Sequence, residues 1–170
     1  MAGKKDTIAL VLSCLNEKKI SLKKIVVQKT MYFLKANGVP VGFRFKPYAY
    51  GPYSFELANA LDDMLFWDKI AEENNTYTIK DFSDYDFNTP RKKQIEQGIE
   101  KFAELVENRF DFKTMELFGT VLFCKRALEE ADENATDKNI VEEFLGWKGP
   151  DKYSEEEILQ AFHKLQQEFS

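Results

Sequence analysis

Apolar residues recur along this chain at helical spacing in most segments and alternate in only two short ones. Ile8, Val11, Leu12 and Leu15 fall at i, i+3, i+4 and i+7, so a first helix is predicted from about Asp6 to Asn16. Ser21 then reads as the N-cap of a second helix, LKKIVVQKTMYFLKAN, that stops at Asn37-Gly38. Phe43-Arg44-Phe45-Lys46 alternates like one short strand ended by Pro47, and an aromatic loop from Tyr48 to Tyr53 follows. Ser54 caps a third helix carrying Phe55, Leu57, Ala58, Leu61, Met64 and Leu65. Lys69 to Glu73, Asn74-Asn75 and Thr76 to Ile79 read as strand, turn and strand.

Asp81 to Asn88 is polar, studded with aromatics, and is the predicted boundary between two parts, residues 1–85 and 86–170, that form one unit. Thr89-Pro90 opens a fourth helix as N-cap and first residue, with Ile95, Ile99, Phe102 and Val106 on its stripe. A fifth holds Met115, Phe118, Val121, Leu122 and Leu128 and ends in acidic residues. Thr136 caps a short sixth, Gly146 to Pro150 breaks the chain, and Ser154 with Glu157 makes a capping box for the last helix. The fold class expected is α+β, mainly helical. The order helix, helix, strand, helix, hairpin over residues 1–80 is that of a winged-helix domain, here packed on a helical C-terminal part, since each later helix has one apolar stripe needing a partner.

Composition narrows the function. The 170 residues hold one His, which excludes most zinc sites and any scheme with two histidines. Walker, GxGxxG, HExxH and GxSxG motifs are all missing, so an enzyme is not expected. Neither a cofactor nor a metal is called for, because Asp62-Asp63 and Asp84-Tyr85-Asp86 read as solvated carboxylates. Cys14 and Cys124 sit far apart in helical patterns, which points to buried free thiols in a reducing cytoplasm. The stretch Ile8 to Leu15 is too short and interrupted for a leader, and no run reaches bilayer length, so no membrane role is expected.

Charge is unevenly spread. Residues 1–53 carry ten Lys/Arg against two Asp/Glu, a net +8, while residues 54–170 carry 14 against 27, a net −13. Such a basic segment suits a polyanion or an acidic protein, or merely a solvated face. Lys18, Lys19, Lys23, Lys24 and Lys29 are the residues that would line a phosphate backbone. Against duplex DNA, the third helix, where a winged helix reads bases, holds Glu56, Asp62 and Asp63 and no Lys or Arg.

The most distinctive run is Tyr48-Ala49-Tyr50-Gly51-Pro52-Tyr53-Ser54. Gly51 permits a positive-φ turn, Pro52 fixes φ before a helix, and Ser54 caps it. Tyr48, Tyr50 and Tyr53 then crowd one patch, either to grip an extended peptide or a phosphate or to fill the core behind a well-made turn. Alternation sends Tyr48 and Tyr50 the same way.

With Gln28-Lys29-Thr30-Met31-Tyr32-Phe33-Leu34 upstream, this run resembles the YwgA-type proteins and the related Panacea (SocA-like) antitoxin domain, where a QKLLYF…YGPV pattern recurs. The tail VEEFLGWKGPDKYSEEEILQAF is similar to the W-K-P-x-(F/Y)-S-x-E-E-I ending of YwgA-type chains. For Panacea domains the resemblance implies neutralisation of a toxin by protein–protein binding. The expectation is therefore a non-enzymatic intracellular protein-binding module, antitoxin-like or regulatory, with Tyr48, Tyr50, Gly51, Pro52, Tyr53 and Ser54 as the partner-binding set. The alternative is a winged-helix nucleic-acid-binding regulator using the lysines.

Overall fold

The computed structural model describes residues 3–88 and 90–169. Among them are seven helices, α1 (Lys4–Glu17), α2 (Lys24–Ala36), α3 (Phe55–Phe66), α4 (Arg91–Leu105), α5 (Phe112–Glu130), α6 (Asp137–Lys148) and α7 (Glu155–Phe169). Two small antiparallel hairpins complete the fold, β1 (Lys46–Tyr48) with β2 (Gly51–Tyr53), and β3 (Ile70–Glu73) with β4 (Thr76–Ile79). The architecture is α+β and mainly helical.

One apolar cluster runs through both halves of the chain, from Ile8 and Leu12 of α1 to Phe162 and Leu165 of α7. Helix α5 packs on α2, α6, α7 and β2, and α2 also packs on α4. The linker at 81–88 is tied down as well. Phe82, Tyr85 and Phe87 pack against the core, and Asp86 donates its amide to Asp6 Oδ1 at 2.9 Å. Helix α1 is buried nearly all round rather than along one stripe, because α2, α3 and α4 all pack against it.

Several local expectations change. Ser21 does not cap α2; Lys23 stands before it in extended conformation, because residues 22 and 23 pair with β4 instead. Tyr77 donates its amide to the Leu22 carbonyl, and Lys24 donates its own to the Asn75 carbonyl, both at 2.8 Å. Phe43 to Phe45 do alternate inward and outward, but no strand faces them, so the strand lies further on, at Lys46–Tyr48. Helix α6 runs through Gly146 to Lys148, and the break comes at Gly149, whose φ is +79°. One exposed glycine costs a helix only about 1 kcal/mol, less than the packing of its neighbours Phe144 and Trp147 supplies. Helix α4 starts at Arg91 after Pro90, and Thr89 lies outside the described residues.

Where the local chemistry is self-contained, sequence and structure agree. Ser54, Thr136 and Ser154 each accept a hydrogen bond from the amide three residues on. Glu157 closes the capping box on the Ser154 amide at 3.0 Å. Asn74 and Asn75 both take positive φ, the backbone a two-residue type I′ turn demands.

Candidate functional site

The run from Tyr48 to Tyr53 is a hairpin rather than a loop after a strand. Lys46 faces Tyr53, Pro47 faces Pro52, and Tyr48 faces Gly51 across a turn made by Ala49 and Tyr50. In an antiparallel ladder closed this way the second pair is not hydrogen-bonded, so two prolines can face each other without an unmet N–H. Gly51 is needed twice over. Its φ is +106°, and a Cβ there would stand 3.1 Å from Thr120 Oγ1.

Three side chains clamp this hairpin to the body. The Gln28 amide donates to the Ser54 carbonyl at 3.0 Å and accepts the Ser54 N–H at 2.9 Å. Lys29 Nζ donates to the Pro52 carbonyl at 2.7 Å. Lys148 Nζ donates to the Ala49 carbonyl at 2.7 Å. The Gln-Lys pair of α2 and the Gly-Pro-Tyr-Ser run are thus two halves of one joint. Gly119 makes room for it, since a Cβ there would meet Lys29 Cδ at 3.0 Å. The Thr120 hydroxyl, buried at the same place, has no hydrogen-bond partner among the described residues.

The motif residues of the tail complete the joint through Glu116 of α5. Lys152 Nζ and Tyr153 Oη both donate to its carboxylate at 2.8 Å, and Lys148 Nζ donates at 3.1 Å. Burial by itself would raise the Glu116 carboxyl, but the hydrogen bonds from Lys152, Tyr153 and Lys148 outweigh it and hold it below the ordinary carboxylate range. Lys29, only 3% exposed, is pushed down to about 7, first by burial and then by the nearby Lys148 charge.

Above the clamp the tyrosines reach solvent. Tyr48 and Tyr50 are each 52% exposed, and Tyr53 is half-buried. Tyr48 packs on Tyr53 and Phe55, with ring centroids 5.3 and 5.1 Å away. Tyr50 turns instead to Phe112 of α5, 4.8 Å away, and Lys152 Nζ lies 5.4 Å from its ring. Alternation does not carry across a turn, so the two rings pack on different neighbours rather than on one strand face. The groove encloses about 530 Å³ and is lined by Tyr48, Tyr50, Tyr53 and Phe112 on one side. Its other boundary is Lys23, Lys24 and Lys29 of the α2 region, the Asn74-Asn75 turn with Tyr77, and Asp62 of α3.

The two predicted residue sets therefore meet at one place, in part. Of the lysines, Lys23 is exposed on the groove rim, and Lys24 is engaged with Glu72 at 3.1 Å. Lys29 is not a surface phosphate ligand, because α5 and the hairpin cover it. Lys18 and Lys19 are exposed but do not line the groove. Gly51, Pro52 and Ser54, expected in the partner-binding set, are buried beneath the tyrosines.

Phe112 was not singled out by sequence, and Asp62, Tyr77 and the Asn74-Asn75 turn were read only as a solvated carboxylate, a strand residue and a turn; no local signal could have joined them to the tyrosines. A second exposed aromatic pair also stands outside the sequence reading. Phe66, 76% exposed, and Trp67, 66% exposed, cross edge to face at the end of α3.

His163 is exposed, with its Nε2 3.0 Å from Asp137 Oδ1. Among the described residues no three His, Cys, Asp or Glu side chains group as metal ligands, and no helix is long and apolar enough to cross a membrane. Compared with known proteins, the chain matches no protein-family model and no curated protein.

Proposed function

We propose that this chain is a non-enzymatic protein-binding module, antitoxin-like or regulatory in role, that grips its partner with the tyrosine-walled groove. One observation carries the reading. Tyr48 and Tyr50 stay half exposed while the backbone beneath them is clamped by Gln28, Lys29 and Lys148. A core-filling role would bury the rings. A clamped backbone means that little entropy is lost when they contact a partner, the property that makes tyrosine an effective anchor. The motif likeness to the Panacea domain supports the antitoxin form of the role. Buried free Cys14 and Cys124 support a reducing, intracellular setting.

The winged-helix reading of the N-terminal part draws support from element order. Helices α1, α2 and α3 precede the β3–β4 hairpin, and Lys23 bridges Thr76 before α2 begins. The β1–β2 hairpin is then an insertion between the second and third helices. A nucleic-acid role keeps a specific basis in Lys18, Lys19 and Lys23, which are exposed and form no ion pair among the described residues. It ranks second because Lys24 is paired and Lys29 is buried.

Affinity capture from the native host, with wild type and Lys18→Glu/Lys19→Glu as baits, separates the two. Protein binding predicts the same captured protein on both baits after nuclease treatment. Capture that disappears with nuclease or with the lysine reversals supports the nucleic-acid role instead.

A further inference from the structure

The joint beneath the tyrosines holds more amine than carboxylate. Among the described residues, Lys148 and Lys152 share the Glu116 carboxylate, and Lys29 forms no ion pair. The Lys29 amine has the Pro52 carbonyl as its acceptor, at 2.7 Å. Beside it the Thr120 hydroxyl is fully buried and has no hydrogen-bond partner among the described residues. The two groups approach the same glycine. The position a Cβ would take at Gly51 is 3.1 Å from Thr120 Oγ1 and 3.6 Å from Lys29 Nζ. Lys29 also belongs to the lining of the groove, which gives a small molecule a way in.

We propose that Lys29 is a carbamate-forming site, at which carbon dioxide adds reversibly to the side-chain amine. The Nζ lone pair bonds to the carbon of carbon dioxide, one C=O π pair moves onto oxygen, and one N–H proton leaves to the solvent buffer. The N–H that remains keeps the Pro52 carbonyl as its acceptor. This chemistry is independent of partner binding.

Three features of the joint favour the product. The first is the free amine. Burial and then the Lys148 charge bring Lys29 down to about 7, so it is mostly unprotonated at pH 8, where an ordinary lysine is almost wholly ammonium. The second is charge. The Lys148 ammonium that disfavours a second cation at Lys29 favours an anion there. The third is the orphaned hydroxyl. A carbamate brings acceptor oxygens to the neighbourhood of Thr120, whose buried O–H lacks one. Lys148 is buried as well, but it already has Glu116 at 3.1 Å. Carbon dioxide is uncharged, so it reaches a buried amine without the desolvation cost that a phosphate or carboxylate would meet.

Nuclear magnetic resonance of the full chain, with lysine side chains labelled with heavy nitrogen and equilibrated with isotope-labelled bicarbonate at pH 8, tests the proposal. Wild type should show a carbamate carbon coupled to a lysine nitrogen, and Lys29→Met should lack it. A carbamate on the α-amino group carries no lysine nitrogen and is told apart by that coupling. Thr120→Val, which keeps the shape and removes the hydroxyl, should lower the formation constant about tenfold or more, as loss of a hydrogen bond to a charged group does. Melting temperatures establish that each variant folds. Absence of a coupled carbon in wild type overturns the proposal, as does an equal signal in folded Lys29→Met. If Lys29→Met does not fold, Thr120→Val decides, and an unchanged formation constant there overturns the proposal.

Discussion

Lys29 Nζ donates to the Pro52 carbonyl across 2.7 Å, so a buried amine of α2 fastens the hairpin that carries Tyr48 and Tyr50. The contact accounts for a Gln-Lys pair in one helix accompanying a Tyr-Gly-Pro-Tyr-Ser run in the next segment. Gln28 grips Ser54 and Lys29 grips Pro52. The exposed rings sit on top of that joint.

The buried amine should make stability depend on pH. Its folded value is about 7 against an ordinary 10.5, lowered first by burial. Between those values the unfolded chain binds the proton and the folded one does not, so unfolding free energy gains up to about 1.4 kcal/mol per pH unit as pH rises. Below the folded value both states are protonated and the contribution is flat. Urea unfolding of wild type and Lys29→Met from pH 7 to pH 10 should therefore show a steeper rise in wild type. Parallel curves would mean that the Lys29 proton is held alike in both states.

Glu116 should be a costly residue to lose. It is 1% exposed and compensates Lys148, whose side chain is 4% exposed. Glu116→Ala should destabilise by about 3 kcal/mol or more, since it strands a buried ammonium. Glu116→Leu with Lys148→Met should cost less than the sum of the single changes, as a double-mutant cycle by denaturant unfolding would show. Additive costs would mean that the two groups do not interact.

Gly98 of α4 packs against Leu34 of α2. A Cβ there would overlap Leu34 Cδ2, and Leu34 is fully buried, so its side chain would have to shift within the core. Gly98→Ala gains helix propensity but should still lose about 1–3 kcal/mol through overpacking. A gain in stability on denaturant unfolding would place the two helices further apart than described.

Much of the helical frame is legible in the sequence because its signals are local. The caps at Ser54, Thr136 and Ser154 need only the amide three residues on. The Asn74-Asn75 turn is readable from residues that tolerate positive φ. What sequence misses depends on distant partners. Ser21 looks like a cap until β4 takes residues 22 and 23 as its neighbours. The β1–β2 hairpin hides because two prolines face each other where strand signals should stand. Lys29 reads as one more surface lysine, yet it is buried beside Gly51, Pro52 and Gly119, all remote in sequence. For the site, the tyrosines are legible and the groove is not, since Phe112, Asp62 and Tyr77 come from three other elements.

The central claim is that exposed tyrosines on a clamped hairpin bind a protein partner. The most direct measurement determines melting temperature and partner capture on one variant, Tyr48→Ala/Tyr50→Ala. Both rings are half exposed, so the melting temperature should stay within about 2–4 °C of wild type, a cost near 1 kcal/mol or less. Capture of the partner held by wild type should be lost. Capture retained at wild-type level, or lost only together with a collapse in stability, would contradict the account and leave the hairpin as architecture.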